Sequence, residues 1–154
     1  MATDRNTIAD AYPIPVYNYR VTVGAQTLAF SEVSGLTREH EKVVYRDGMS
    51  FLMGYYILRG QQSEITVTMK RGVVKGDDAL YDWVDFTFLE RLFSSYKKDI
   101  LIDLCDETGA PMIRWKLKKA IPLKLEAPSF SADSNEVAVE TVELVAQGMD
   151  IEYF

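Results

Sequence analysis

Glu64-Ile65-Thr66-Val67-Thr68-Met69-Lys70-Arg71-Gly72 alternates apolar and polar side chains and then stops at a glycine. Successive side chains of a strand point to opposite faces, so Ile65, Val67 and Met69 line a core face while Thr66, Thr68 and Lys70 face water. Beyond Gly72 the period changes. After Gly76 and Asp77, the residues Leu80, Trp83, Val84, Phe88 and Leu92 recur at helical spacing, which predicts a helix over about 78–96. Asp77 is the candidate N-cap, Asp78 suits the positive end of the helix dipole, and Lys97 and Lys98 suit its negative end. Phe86, Leu89 and Phe93 widen the apolar face, so this helix packs on a sheet and meets a second surface, a candidate contact with another subunit.

The same reading extends toward both ends. Residues 1–15 are polar and aperiodic up to Pro13 and Pro15, which suits an extended N-terminal arm. Tyr17, Tyr19, Val21 and Val23 then alternate with Asn18, Arg20 and Thr22. A turn at Gly24 to Gln26 and a second strand from about Thr27 to Val33 complete a hairpin, which Ser34-Gly35 ends. Thr37 to Tyr45 is charged and extended and gives a third strand. After the helix, Ile100 to Asp106 and Met112 to Ala120 flank a turn at Glu107-Thr108-Gly109 and form another hairpin, continued past a bend at Pro122 to Glu126. Pro128 to Asn135 has loop composition, and Glu136 to Ala146 is the last strand expected. About seven strands and one helix make a mainly β chain, most simply an antiparallel β-barrel or sandwich with the helix against one opening or flank. Residues 1–154 show no repeat, low-complexity tract or internal boundary and read as one domain.

Met49 to Gly60 follows neither period. Phe51, Leu52, Met53, Tyr55, Tyr56, Ile57 and Leu58 stand among glycines, and the segment reads as an apolar loop. A contiguous exposed apolar patch marks a partner surface, so these residues are the candidate inter-subunit contact. The bland alternative is a loop folded back on its own core.

Charge and composition narrow the function classes. With 154 residues, 47% of them apolar, the chain has the composition of a globular protein with a proper core. A net charge of −6 opposes simple electrostatic binding to nucleic acid or to an anionic membrane. Apolar runs fall well short of the roughly 20 residues of a membrane helix, and an N-terminus carrying Asp4, Arg5 and Asp10 lacks a signal-peptide apolar region. No membrane insertion and synthesis in the cytoplasm are therefore expected. Cys105, the single cysteine, has no internal disulfide partner and is expected to behave as a small buried hydrophobe.

Catalytic chemistry has little to work with. His40 lies in Arg38-Glu39-His40-Glu41-Lys42, a charged segment without a nucleophile motif, and reads as a surface histidine. Asp78, Asp82 and Asp85 share one helical face, yet no loop or glycine builds a calcium site around them, and a solvated acidic face is the simpler reading. The stretch from Gly72 to Asp78 follows a strand and precedes a helix. It ends in two carboxylates where a phosphate loop needs Gly-Lys-Ser/Thr. No catalytic, metal or cofactor residues are assigned.

Three segments in register carry a family likeness. Phe30-Ser31-Glu32-Val33-Ser34-Gly35-Leu36, then Thr66-Val67-Thr68-Met69-Lys70-Arg71-Gly72, then Trp83 resemble the tube proteins of contractile injection machines, the T4-like phage tail tubes and the inner tubes of extracellular injection systems. The resemblance implies a β-barrel with one helix, built into hexameric rings that stack as a rigid inner tube within a sheath. Its implied partners are further copies of itself, the sheath protein, the baseplate and spike, and a cargo of DNA or protein effector in the lumen. A phage, a tailocin (a bacteriocin-like particle) and an extracellular injection system are equally implied settings. Glu136, Glu140, Asp103 and Glu126 are candidate wet-face charges for a non-adhesive bore. Leu58-Arg59-Gly60-Gln61-Gln62 departs from the Pro-Gly that many tube proteins carry at this place. That departure keeps open a tube-family paralogue forming the ring next to baseplate and spike. From another class, a monomeric β-barrel binding a small apolar ligand is the remaining reading.

Overall fold

The computed structural model describes residues 13–49, 54–85, 92 and 96–154. Among them run β1 (Tyr19–Val23), β2 (Gln26–Leu28), β3 (Glu32–Ser34), β4 (His40–Tyr45), β5 (Tyr56–Gln62) and β6 (Ile65–Gly72). There follow α1 (Ala79–Val84), β7 (Lys98–Cys105), β8 (Pro111–Glu126), β9 (Val139–Ala146) and β10 (Gly148–Tyr153). All strand pairs are antiparallel. The main sheet runs β2-β1-β7-β8-β9-β6-β3, with β10 also paired to β8, and its two ends do not pair with each other. The mainly β architecture with a short helix is the expected one; the sheet rolls without closing.

One long strand makes the roll. The first half of β8 pairs with β7 and β10, and its second half, from Ile121, pairs with β9. At the change of sheet Lys119 adopts φ 51°, and both Leu117 and Ala120 face the core. An extra residue therefore sits in the strand, a bulge that bends it from one sheet into the other. Lys119 N–H donates to Asp99 Oδ1 at 3.0 Å, and Gln147 N–H donates to the Lys118 carbonyl at 3.0 Å, so the backbone groups at the bend are satisfied.

The core lies between the two halves. Ile65, Val67 and Met69 of β6 are buried as their alternation requires, facing Val21 and Val23 of β1 and Ile100 and Ile102 of β7. Leu80 and Trp83 of α1 enter the same cluster. Cys105 is buried, as expected of a lone cysteine in a strand.

Several boundaries differ from the sequence expectation. The strand expected over Thr27 to Val33 is two short strands, β2 and β3, on different parts of the sheet; between them the Tyr19 hydroxyl donates to the Phe30 carbonyl at 2.6 Å. Tyr56 to Gly60 belongs to a strand, not to a loop. β10 extends the chain beyond the last strand expected. The described helix is Ala79–Val84, and residues 86–91 and 93–95 of the expected helix lie outside the described residues. Asp77 Oδ1 lies 3.4 Å from Ala79 N, while Asp78, at the N-cap position, makes no side-chain cap.

Candidate assembly surface

β4 and β5 form a separate two-stranded sheet, paired through Lys42↔Arg59, Val43↔Leu58, Val44↔Ile57 and Tyr45↔Tyr56. Residues directly opposite share a face, so Val43, Leu58, Tyr45 and Tyr56 gather on one face, with Glu41 beside Gly60 at its base. The other face carries Val44 and Ile57 flanked by Lys42, Arg59 and Arg46, with the Arg46 guanidinium 4.9 Å from the Tyr55 ring centroid. Both faces meet solvent: Val43 is 47% exposed, Val44 42%, Ile57 58% and Leu58 55%. A strand that buries neither face loses the alternation by which strands are recognised.

From Lys42 to Tyr45 the hairpin pairs in unbroken register despite its exposure, with a register shift between His40 and Lys42. Gly60 is required there, because a Cβ would press on the Glu41 carbonyl at 2.8 Å. At the base, Ser63 N–H donates to the Glu39 carbonyl at 2.8 Å, and Arg38 pairs with Asp150 of β10 at 3.8 Å. Arg59 Nη2 lies 2.7 Å from His40 Nε2, so the histidine helps to hold the hairpin's base. Of the residues expected to form the inter-subunit contact, Tyr55, Tyr56, Ile57 and Leu58 are brought together and exposed. Phe51, Leu52 and Met53 lie outside the described residues. Sequence reasoning missed Val43, Val44 and Tyr45 as part of this surface; the signal was three consecutive apolar residues in a segment otherwise charged.

Behind the hairpin, the three segments that carry the family likeness are joined physically. Ser34 pairs with Thr68, and Gly35, at φ 90°, brings its backbone against the Thr66 carbonyl so closely that a Cβ would overlap it. Arg71, 4% exposed, donates from Nε to Glu140 Oε1 at 2.6 Å and from Nη1 to Asp77 Oδ2 at 3.1 Å. Its Nη2 donates to the Asp77 carbonyl at 3.2 Å. This fork ties the end of β6 to β9 and to the start of α1. Trp83 Nε1 donates to the Tyr96 carbonyl at 2.8 Å.

Two candidate wet-face charges are otherwise engaged. Glu140 is held by Arg71, and Asp103, 2% exposed, lies between Arg114, at 2.6 and 3.0 Å, and Arg20, at 3.3 Å. Hydrogen bonds from Arg114, and secondarily from Arg20, hold the Asp103 carboxyl below the usual aspartate range against the opposing effect of burial. Glu126 and Glu136 are exposed.

No match is found among curated proteins. Among solved structures, a chain of the sheath-tube complex of the PVC extracellular contractile injection system, in the extended state, is 34% identical with TM-score 0.89, covering 99% of this chain and 100% of that one. A chain of the anti-feeding prophage tube-terminating cap is 35% identical with TM-score 0.85, covering 100% of both. A chain of the PVC sheath/tube terminator is 34% identical with TM-score 0.82, covering 92% and 97%. Residues 15–150 match the family described as T4-like virus tail tube protein gp19. The chain belongs to that family: it is a tail tube subunit, a structural protein of a phage tail or contractile injection particle and not an enzyme.

Proposed function

We propose that copies of this chain close into hexameric rings that stack as the inner tube of a contractile injection system. The tube is a conduit for DNA or a protein effector, enclosed by a sheath and ended by a baseplate and spike. Assembly takes place in the cytoplasm, and the finished particle is a phage tail or an extracellular or cell-associated injection device. The observation that carries this reading is the β4–β5 hairpin, which exposes apolar side chains on both faces with no covering element among the described residues. Phe51, Leu52, Met53, Tyr55, Tyr56, Ile57 and Leu58, with Val43, Val44 and Tyr45, form the contact to the next copy. Negative-stain electron microscopy of the concentrated full-length protein tests it: rings or tubes are expected, and a monomer carrying a bound small apolar molecule would overturn it.

A second reading has its own support. The chain is as similar to a chain of a tube-terminating cap, at 35% identity, as to one of a sheath-tube complex, at 34%. Under that reading this protein forms a specialised ring at one tube end, whether at the cap or next to the baseplate. Gold-labelled antibody on intact particles separates the two, since decoration along the whole tube supports the repeating subunit and decoration at one end supports the specialised ring.

A further inference from the structure

We infer that the basic face of the β4–β5 hairpin of one copy seats in an apolar, acid-rimmed groove at the opposite end of the next copy. The inference rests on the hairpin being the contact between copies, as proposed above, and adds what receives it.

The groove, of about 530 Å³, opens between α1, the end of β8 and the start of β9. Val73, Tyr81, Val84, Leu125 and Phe130 line it together with two carboxylates, Asp85 and the Glu140 held by Arg71. Phe130 is 88% exposed and Tyr81 58%, so its apolar lining is wet in the single chain. Asp78, Asp82 and Asp85 recur at helical spacing along the exposed side of the adjoining turn, and none forms an ion pair among the described residues. On the hairpin, Lys42, Arg46 and Arg59 surround Val44 and Ile57 on a single face. An apolar centre with a cationic rim thus has its counterpart in an apolar groove with an anionic rim. Such matching sets orientation and partner choice across an interface.

Position supplies the second argument. The hairpin joins the body at Ser63, just before β6 begins, whereas Val73 of the groove follows directly where β6 ends. The strand between them spans eight residues, roughly 25 Å at the usual rise. Donor and acceptor surfaces at opposite ends of one molecule make a head-to-tail contact, which is never satisfied within a pair and propagates into a ring or a stack.

Cross-linking tests the pairing. One tagged population carries Ile57→Cys and a differently tagged one carries Tyr81→Cys; both sites are 58% exposed, and the native Cys105 is buried and does not compete. The concentrated full-length proteins are mixed and treated with a short bis-maleimide. Linkage between the two tags is expected at least tenfold above linkage within either tag. Linkage only within like-tagged chains, or none, overturns the groove assignment. A charge exchange supplies an independent readout: Lys42→Glu with Arg59→Glu should cut assembled particles at least tenfold, and adding Asp82→Lys with Asp85→Lys should restore them. Failure to restore also overturns it. The underlying hairpin reading is judged separately by Tyr56→Asp with Leu58→Asp. Assembly that survives this change removes both readings, while assembly lost without any 57–81 linkage removes the groove alone.

Discussion

A methyl group at position 35 has no space: the residue sits at φ 90° with its Cα against the Thr66 carbonyl, where any Cβ would overlap backbone. Neither partner can yield, because Thr66 is fixed in the ladder between β6 and β9. Gly35→Ala is therefore expected to lower stability by about 2–3 kcal/mol, read as a fall in denaturant midpoint at unchanged slope. Arg71 belongs to the same class of residue. Its removal leaves Glu140 facing the core edge without a cation, and Arg71→Ala should cost about 2 kcal/mol, below the ~3–5 of a fully buried pair. The discount follows from the partners, since the Asp77 and Glu140 side chains keep 40% and 18% exposure. Arg71→Lys should recover only part of the loss, as an ammonium lacks the fork that reaches Glu140 and Asp77 together. Asp103 adds a pH dependence of definite sign. Its folded carboxyl titrates below its unfolded range, so its contribution is present above the unfolded value near ~3.9 and is lost as pH falls toward the folded one. Asp103→Asn should be less stable than the parent at neutral pH, and the gap should close on acidification below about pH 4 in paired thermal melts.

At the level of elements, what could be read from sequence is what has one wet face and one dry face. β6 alternates buried with partly or fully exposed residues along its whole length, and its core face of Ile65, Val67 and Met69 was legible although the burial of Arg71 was not; the β7–β8 hairpin was legible as a strand pair but not in the burial of Asp103. β5 was not, because Tyr56, Ile57 and Leu58 are consecutive apolar residues on two exposed faces, and period two needs a polar face to show. β10 alternates weakly, since only Met149 reaches the core while Ile151 and Tyr153 are 41% and 74% exposed. The apolar segment was read as a candidate partner surface without being read as a strand, and the groove that we pair with it joins residues 73 to 130, which no local pattern connects. The exposed hairpin also predicts a separation of effects. Tyr56→Asp and Leu58→Asp remove apolar surface that the single chain does not bury, so the melting temperature should stay within about 3 °C of the parent. Assembly, followed by electron microscopy, should be lost. Unfolding at a much lower temperature would mean that the hairpin packs on its own body in solution.

For the whole molecule, the magnitude of the proposed hairpin contact sets how assembly should proceed. Val43, Val44, Tyr45, Tyr55, Tyr56, Ile57 and Leu58 are each between 42% and 58% exposed. Covering the wet half of such a side chain contributes about 1 kcal/mol, so the set supplies roughly 7 kcal/mol. Immobilising a partner costs an estimated 4–15 kcal/mol, which one hairpin alone offsets poorly. A copy that enters a ring or a stack makes several contacts for a single loss of translational freedom, so the closed form is favoured over its fragments. Assembly should then be cooperative. In a sedimentation-velocity dilution series, monomer and large assemblies are expected to coexist across a narrow threshold, with no populated dimer or trimer between them. Removing about 0.7–1 kcal/mol of hairpin contact, as Ile57→Ala should do, moves that threshold upward about three- to fivefold in concentration. A gradual ladder of small oligomers, or a threshold indifferent to Ile57→Ala, would show that assembly is carried by surfaces other than the hairpin.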